Sequence, residues 1–303
     1  MAGVSTATVS RVINNSNKVS PATKKKVFKA VKTLNFKPSR VAQRLRVKQG
    51  KKKLIGLIVP DIQNPFYVDV VKGVEDYAYE NDYAILMCNF AQDEIKEKLY
   101  IDLMKSESVG GLLLAPVSDR DQKVLDLVEN GVPIVCIDRG IKADVDIVVV
   151  NNREGAYNAV ELLIKKGHKR IAYISGLPNL ATSKFRKEGY MNALEDYGIP
   201  FDEELIMSGD SKHESGKRLA AKLLDIENPP TAFFTGNNLI TLGALETIHN
   251  RGLKIPDEIA IVGFDDMPWS ISLNPPLTAV SQPGYEIGRR SAELLIQRIN
   301  DPS

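Results

Sequence analysis

Short runs of consecutive apolar residues alternate with longer amphipathic stretches over most of the chain. The apolar runs lie at Leu54–Val59, Ala84–Cys88, Leu112–Ala115, Ile134–Ile137, Ile147–Val150, Ile171–Ile174, Thr231–Thr235 and Ile259–Phe264. Stretches with apolar residues at helical spacing separate most of these runs, at Val68–Glu80, Lys96–Ser106, Asp121–Asn130, Arg153–Lys166 and Ser183–Tyr197. Apolar runs without polar alternation, separated by helices, are typical of parallel strands that are covered on both faces. The pattern therefore predicts a doubly wound α/β body.

This body, residues 54–303, is longer than a single hydrophobic core usually supports. We therefore expect it to form two lobes, at about 54–150 plus 283–300 and at about 151–278. The chain is expected to cross from the first lobe to the second at Asn151-Asn152. It is expected to return near Thr278–Gln282, before a last helix at Tyr285–Asn300.

The residues before this body show a different pattern, with short helices and turn clusters. Ser5 is placed to cap a first helix, whose apolar residues recur at helical spacing at Val9, Val12 and Ile13. Ser20 and Pro21 begin a second helix, because proline is favoured at the first helical position. A third helix is expected at Ser39–Arg46, followed by a polar basic linker. We expect a DNA-binding domain at 1–38 and a hinge helix with its linker at 39–53.

Charge divides the chain at the same place. Residues 1–53 contain 15 Lys or Arg and no Asp or Glu, whereas the remaining residues carry an excess of acidic side chains. The net charge of +2 for the whole chain therefore hides a strongly basic head on an acidic body. Such an asymmetry indicates a polyanionic partner, and the helical periodicity of the head favours a folded nucleic-acid-binding domain over a solvated basic tail.

Several other function classes lack support in the sequence. No apolar run approaches the roughly 20 residues of a membrane span, and the N-terminus does not resemble a secretory signal, so we expect a cytoplasmic protein without a membrane partner. Cys88 and Cys136 are expected to be buried free thiols. His168, His213 and His249 are too far apart for metal-ligand spacing, and no nucleotide-binding or nucleophile motif occurs. We expect no metal, no cofactor and no enzymatic activity.

The segment Gly3–Asn14 has the pattern of a turn followed by a DNA-recognition helix. Thr6, Ala7 and Arg11 share the outer face of this helix, where a helix in the major groove presents its base-reading side chains. The Arg11 guanidinium can donate two hydrogen bonds to guanine, and the Ala7 methyl group can contact thymine. The other DNA contacts of this helix, including phosphate contacts that position the protein without reading sequence, are expected from Ser5, Thr8 and Ser10.

Five segments, in the order in which they occur, resemble the LacI/GalR (lac repressor) family of bacterial transcription regulators. They are Gly3–Asn14, Phe36–Leu45, Ile55–Tyr67, Gly167–Ala172 and Val262–Asp266. The resemblance runs through nearly the whole chain. It implies a small all-α helix-turn-helix head followed by an α/β two-lobed sensor domain like the periplasmic binding proteins, with two doubly wound parallel sheets.

The resemblance also assigns roles outside the recognition helix. In that family the hinge segment folds into a helix on operator DNA, and a leucine from each subunit wedges into the minor groove. Leu45 occupies that position here, and Arg40 is a further DNA contact. An apolar wedge suits this role because it unstacks bases without requiring a polar partner. The implied partners are double-stranded, near-palindromic operator DNA and a second copy of the chain in a homodimer.

A ligand in the cleft between the lobes is implied as well. The positions that match cleft residues of the family are Asn64, Phe66, Tyr67, Asp138, Arg139, Arg186, Asn238 and Asp265. The aromatic rings suit stacking on the apolar face of a ring, and the carboxylate, amide and guanidinium groups suit sugar hydroxyls. Ser211 stands where some relatives carry a large aromatic residue, and Leu180 where purine-responsive relatives carry an arginine. Both departures favour a sugar or sugar derivative as effector.

Two further departures concern the ends of the chain. Family members begin with a helix before the Gly-Val-Ser turn, and this helix is missing here. They also continue after the last helix into a closing strand. We therefore expect the chain as given to bind DNA more weakly than a chain extended at its N-terminus.

The sequence thus predicts a ligand-responsive, sequence-specific DNA-binding regulator, a repressor of carbohydrate-related genes. A solute-binding receptor of a transport system would use the same body, but the basic head and the missing secretory signal disfavour it. A carbohydrate enzyme would need an acid–base pair that the sequence does not offer. Control by a phosphocarrier protein stays open as an alternative within the regulator interpretation, although the Asp138-Arg139 pair favours a sugar.

Overall fold

The computed structural model describes residues 2–13, 19–34 and 54–301, which belong to two compact units, 1–50 and 51–303. The predicted third helix and the hinge at 39–53 lie outside the described residues. Within the described ranges, no helix combines the length and the apolar character that crossing a membrane requires.

The described part of the first unit contains two helices, α1 at Thr6–Ile13 and α2 at Pro21–Thr33. Both begin after a serine, as predicted, because a serine hydroxyl can satisfy a backbone N–H that the start of a helix leaves unpaired. The Oγ atoms of Ser5 and Ser20 each accept a hydrogen bond from the backbone N–H three residues further on, at 3.2 and 3.4 Å. Among the side chains of this unit that the structure describes, the apolar ones that are buried are Val12 and Val27.

The second unit begins with a sheet of parallel strands. We call this sheet and the helices that cover it the first lobe. The strands are β1 at Leu54–Val59, β2 at Ala84–Asn89, β3 at Leu112–Leu114, β4 at Ile134–Ile137 and β5 at Asp146–Val148. Their order in the sheet is β2-β1-β3-β4-β5. The connecting helices are α3 at Pro65–Glu80, α4 at Glu94–Ser106 and α5 at Gln122–Glu129. Helices cover both faces, so β1, β3 and β4 are almost entirely buried and consist of apolar residues.

The second lobe repeats this plan. Its elements are α6 at Asn152–Lys165, β6 at Ile171–Ser175, α7 at Ala181–Asp196, β7 at Ile206–Ser208, α8 at His213–Leu224, β8 at Ala232–Thr235, α9 at Asn238–Asn250, β9 at Ala260–Phe264 and β10 at Thr278–Val280. The strands are all parallel, in the order β10-β9-β8-β6-β7. The last helix, α10 at Gly284–Asn300, returns to the first lobe and packs against α3.

Both sheets therefore have the same strand order when each is numbered from its own first strand. The chain passes from the first lobe to the second between Val148 and Asn152, and it returns between Val280 and Gly284. In the first lobe α10 packs beside α3, and in the second α6 packs beside α7 in the same way. Two doubly wound parallel sheets confirm the predicted fold class.

The apolar pattern does not predict β7 or β10, and both are edge strands. Ile206 and Met207 are only half-buried, and Thr278 is exposed. An edge strand pairs on one side only and is partly solvated, so it needs no continuous apolar run. Helix α3 also begins earlier than its apolar pattern indicates, because Asn64 caps it and proline occupies its first position.

Both cysteines are buried free thiols, as predicted. Cys136 lies in β4 with no exposed surface. Burial raises the pKa of its thiol to about 12, so the group stays protonated near neutral pH and packs as a small apolar side chain.

Helices α3 and α10 approach so closely that two glycines are required at the contact. A Cβ atom on Gly73 would lie 2.0 Å from the carbonyl oxygen of Tyr285, and one on Gly288 would lie 2.1 Å from that of Val70. No side chain fits at such distances unless the helix backbones separate. This contact holds the last helix against the first lobe.

We expect Gly73→Ala to lower the free energy of unfolding by about 1–3 kcal/mol, because the added methyl group forces the two helices apart. Helix propensity by itself predicts the opposite, a gain of about 1 kcal/mol. Urea unfolding followed by circular dichroism measures the difference. Glu75→Ala, at an exposed position of the same helix, is the control and should change little. A Gly73→Ala protein that is more stable than the parent would contradict the close packing.

Candidate ligand-binding cleft and DNA-binding helix

A cleft between the two lobes is lined by residues that follow the carboxyl ends of strands or begin the next helix. The lining residues are Asn64, Phe66, Tyr67, Gln92, Asp138, Arg139, Gly176, Leu180, Thr182, Ser183, Arg186, Ser211, Gly236, Asn237, Asp265 and Gln282. Ligands of open α/β sheets bind at this edge. The free volume between these side chains is about 50 Å³, well below the roughly 300–1,000 Å³ of ligand pockets. A ligand can therefore enter only if the lobes move apart.

Asn64 and the start of α3 set the position of two aromatic side chains. Asn64 Oδ1 accepts a hydrogen bond from the backbone N–H of Phe66 at 2.9 Å, which caps the helix. Phe66 and Tyr67 thus lie in the first turn of α3, where both are buried. Their ring centroids are 5.0 Å apart and their planes are inclined by 67°, an edge-to-face contact that fixes both rings at the cleft wall.

Tyr67 is tied to Asp138, which follows β4. The Tyr67 hydroxyl donates a hydrogen bond to Asp138 Oδ2 at 2.7 Å. Burial, and next the negative charge of Asp138, raise the pKa of Tyr67 well above its ordinary value. The phenol therefore stays protonated and holds the carboxylate of Asp138 in a defined orientation.

Arg139 follows Asp138 and is almost completely buried. Its Nη2 donates hydrogen bonds to Gln92 Oε1 at 3.2 Å and to the carbonyl oxygen of Ala115 at 3.3 Å. Its Nε is buried and has no hydrogen-bond partner among the described residues. The guanidinium thus connects the segments that follow β2, β3 and β4.

The opposite wall is built around Arg186 in α7. Its Nε donates to Asn152 Oδ1 at 2.8 Å, and its Nη1 donates to the carbonyl oxygen of Gly236 at 2.5 Å. The guanidinium carbon lies 3.6 Å from the centroid of the Phe264 ring, a cation–π contact. Nη2 lies 3.8 Å from Asp265 Oδ1, so a buried ion pair completes the arrangement.

Asp265 is buried between the guanidinium of Arg186 and the amide of Gln282. Gln282 Nε2 donates a hydrogen bond to Asp265 Oδ1 at 2.5 Å. Burial raises the pKa of Asp265, while Arg186 and the Gln282 hydrogen bond act in the opposite direction. Burial has the largest effect, so the pKa of Asp265 is raised overall, and its carboxyl oxygens can accept further hydrogen bonds from a ligand.

Asp138 and Asp265 occupy equivalent positions in the two lobes. Each follows the fourth strand of its sheet in chain order, each has a left-handed backbone, with φ of 66° and 70°, and each faces the cleft. The backbone N–H of Asp138 donates to Val148 at 3.0 Å, and that of Asp265 donates to Val280 at 2.9 Å, so the fifth strand holds each turn. A left-handed conformation is uncommon outside glycine, and aspartate tolerates it better than most residues.

Asn238 is the one predicted ligand-binding residue that does not line the cleft. Its side chain has no exposed surface, and its Nδ2 donates a hydrogen bond across the lobes to Asn64 Oδ1 at 2.9 Å. The preceding residue, Asn237, lines the cleft instead, and its Nδ2 donates to the carbonyl oxygen of Ser211. The structure thus brings together the other seven predicted residues and adds an interlobe hydrogen bond.

The cleft also contains polar residues that the sequence patterns did not single out. They are Gln92, Thr182, Ser183, Asn237 and Gln282. Gln92 and Gln282 follow β2 and β10, so a strand assignment for Thr278–Val280 would have indicated the second of them. Among the described residues, no group of three or more His, Cys, Asp or Glu side chains is arranged to hold a metal ion.

In the first unit, α1 has the two faces that the sequence predicts. Thr6, Ala7 and Arg11 are exposed, whereas Val12 is buried. Ser5 Oγ is within 3.0 Å of Thr8 Oγ1, so these two hydroxyls hydrogen-bond to each other as part of the helix cap. The side chain of Ser10, together with Arg40 and Leu45, lies outside the described residues.

Two family models match the chain, and together they cover almost all of it. Residues 1–39 match the bacterial regulatory proteins of the LacI family. Residues 52–303 match the periplasmic binding proteins and sugar-binding domain of the LacI family.

Individual relatives agree with these matches. The HTH-type transcriptional repressor PurR of Aliivibrio fischeri strain MJ11 is 38% identical over 306 aligned positions, which cover 99% of this chain and 90% of the relative. The structure of the transcriptional regulator CelR in complex with cellobiose superimposes with a TM-score of 0.77 at 32% identity, covering 100% of this chain and 91% of CelR. The lac repressor dimer bound to operator and an anti-inducer superimposes with a TM-score of 0.83 at 27% identity, covering 99% and 90%. The chain therefore belongs to the LacI family of bacterial regulatory proteins and is a ligand-responsive, DNA-binding transcriptional regulator.

Proposed function

We propose that this protein is a repressor that controls carbohydrate-related genes in response to a sugar or sugar derivative bound between its lobes. The arrangement of acid and arginine side chains carries the proposal. Asp138 with Arg139 forms one wall of the cleft, and Asp265 with Arg186 forms the other. A sugar hydroxyl both donates and accepts hydrogen bonds, so it matches such a set on each side. Binding involves no catalytic step, and the protein acts on DNA in the cytoplasm.

The two walls come from different lobes, so a ligand between them stabilises the closed arrangement. It does so only through contacts that the open arrangement lacks. The hydrogen bond between Asn64 and Asn238 also joins the lobes. We propose that Asn238 stabilises closure and that its neighbour Asn237 is the residue that contacts the effector.

A purine is the competing class of effector, because PurR proteins are among the relatives. Leu180 is buried at the cleft wall, where an arginine of purine-responsive relatives would donate hydrogen bonds. Ser211 leaves no aromatic surface at its position, and its Oγ accepts the backbone N–H of Leu177 at 3.2 Å. An apolar and a small side chain at these two positions favour a sugar, as does the cellobiose complex of the related CelR.

The choice between the two ligand classes is testable by thermal shift. We expect at least one sugar in a panel that contains cellobiose, ribose, glucose and their phosphates to raise the melting temperature, because a ligand that binds only the folded state stabilises it. Adenine, guanine and hypoxanthine should leave it unchanged. Isothermal titration calorimetry then gives the Kd of each hit. Stabilisation by a purine base, with no response to any sugar, would overturn the proposed effector class.

We expect Asp265→Asn to weaken binding of the sugar found in that panel by about ten- to a hundredfold, because a hydrogen bond to a charged group contributes about 1.5–3 kcal/mol. Asp257→Asn is the control, since Asp257 is exposed on the loop before β9. Calorimetry measures both affinities. The thermal unfolding of each variant without ligand shows whether it is folded. Equal affinities in Asp265→Asn and the parent would remove Asp265 from the site.

For the DNA-binding part we propose that α1 enters the major groove of a near-palindromic operator as part of a homodimer. Arg11, Thr6 and Ala7 then read bases, and Leu45 in the hinge wedges into the minor groove. A palindrome requires two copies of the head. An apolar stripe on the first lobe supports pairing of the bodies, since Ile95, Leu99 and Leu103 of α4 recur every fourth residue and are exposed.

Base reading and phosphate binding predict different effects on specificity. We expect Arg11→Ala to weaken the free energy of binding to the operator by about 1–3 kcal/mol and to change binding to random DNA little. The reason is that an arginine with two hydrogen bonds to one base discriminates one base pair. Lys24→Ala, on α2, should weaken both DNAs alike, because phosphate contacts carry no sequence information. Fluorescence anisotropy with an operator selected from a random library, at several salt concentrations, measures both. Equal losses on both DNAs in Arg11→Ala would exclude Arg11 from base reading.

A further inference from the structure

Glu97 is a buried carboxylate that lies outside the cleft lining. It belongs to α4, and its side chain has no exposed surface. Oε1 accepts a hydrogen bond from the backbone N–H of Val117 at 3.1 Å. Oε2 is buried and has no hydrogen-bond partner among the described residues. Burying an ionisable group with an unpaired oxygen is costly, so a glutamate at such a position calls for a functional explanation.

Glu97 is connected to the cleft residue Arg139 through the protein backbone. Both side chains hold the short segment that follows β3. Arg139 Nη2 donates to the carbonyl oxygen of Ala115, and Glu97 Oε1 accepts the N–H of Val117, two residues further on. Arg139 also has a buried polar atom without a partner, Nε, which is a positively charged donor, whereas Glu97 Oε2 is an acceptor. The two side chains are therefore complementary in charge and in unmet hydrogen-bonding capacity.

We propose that Glu97 is a positioning residue for Arg139: its carboxylate attracts the guanidinium from behind the cleft wall and, with the segment 115–117, holds it in the orientation that binds the effector. This inference rests on the proposed function of the cleft. It assigns a role to a glutamate that does not line the cleft.

The role makes effector binding sensitive to pH. Burial raises the pKa of Glu97 to about 7, with Asp121 and Glu94 acting in the same direction and Arg139 and the Val117 N–H acting against it. These charged groups, which act on the pKa of Glu97, belong to the residue before α5, to α4 itself and to the segment after β4. Above pH 7 the carboxylate is ionised and attracts Arg139. Below pH 7 it is neutral and the attraction is lost, so effector affinity is expected to fall as the pH falls from 8 to 6.

The coupling between the two side chains is measurable without any effector. Carbon-13 NMR of protein labelled at the glutamate carboxyl groups follows the titration of Glu97, and the resonance missing from Glu97→Gln identifies it. We expect a midpoint near pH 7 in the parent. In Arg139→Gln the midpoint should rise by about one pH unit, because an opposite charge is removed. Arg139→Lys retains the charge and should retain the midpoint. A midpoint that is the same in all three proteins would overturn the proposal.

The consequence for binding is measured by calorimetry with the sugar that gives the largest thermal shift. At pH 8 we expect Glu97→Gln to bind it about tenfold more weakly than the parent, since a lost interaction with a charged group of about 1.4 kcal/mol corresponds to that factor. At pH 6 the parent also carries a neutral side chain, and the two proteins should bind alike. An equal loss at both pH values would mean a purely structural role and would overturn the proposal. If no sugar binds, the proposed function fails, while the NMR titration still decides the coupling.

Discussion

The guanidinium of Arg186 is buried with only 5% of the residue exposed, and its charge must be matched by groups from several parts of the fold. Asn152 begins the first helix after the chain crosses between lobes, Gly236 follows β8, and Asp265 follows Phe264, the last residue of β9. One side chain thus ties the crossing segment to the carboxyl ends of two strands. Removing Asp265 would leave the buried charge unpaired, and removing Asn152 would leave one N–H group of Arg186 without an acceptor, so the cleft wall of the second lobe depends on these contacts together.

In the first lobe, the buried acid and the buried arginine of the cleft wall have different partners. Its acid, Asp138, is held by the Tyr67 hydroxyl, and its arginine, Arg139, is held by backbone and amide oxygens. The equivalent left-handed turns at Asp138 and Asp265 present both carboxylates towards the cleft from identical positions in two sheets of the same topology. Uncommon backbone conformations of this kind persist where the surrounding structure holds them, here by hydrogen bonds from the fifth strand.

Closure of the cleft is the step that can connect ligand binding with DNA binding. The small free volume and the hydrogen bond between Asn64 and Asn238 describe a closed arrangement. An effector stabilises the closed arrangement only if its own contacts replace these interlobe interactions or add to them. Because binding free energies are linked reciprocally, the factor by which the effector changes operator affinity equals the factor by which the operator changes effector affinity. Asn64 takes part in the interlobe hydrogen bond and also in positioning the cleft wall, since the same Oδ1 caps the helix that carries Phe66.

The sequence by itself determined the fold class, because strands buried on both faces must consist of apolar residues and the helices between them must be amphipathic. It also determined the division into a basic head and an acidic body, since charge is a property of composition. The sequence pattern did not predict edge strands such as Ile206–Ser208, because a partly solvated strand does not need a continuous run of apolar residues. Only the tertiary structure decided that Asn237 and not Asn238 faces the cleft, since the choice depends on how α9 is rotated against the sheet. Only the tertiary structure separates Glu97 from its charged neighbours in α4, because burial depends on what packs over a side chain and not on its local pattern.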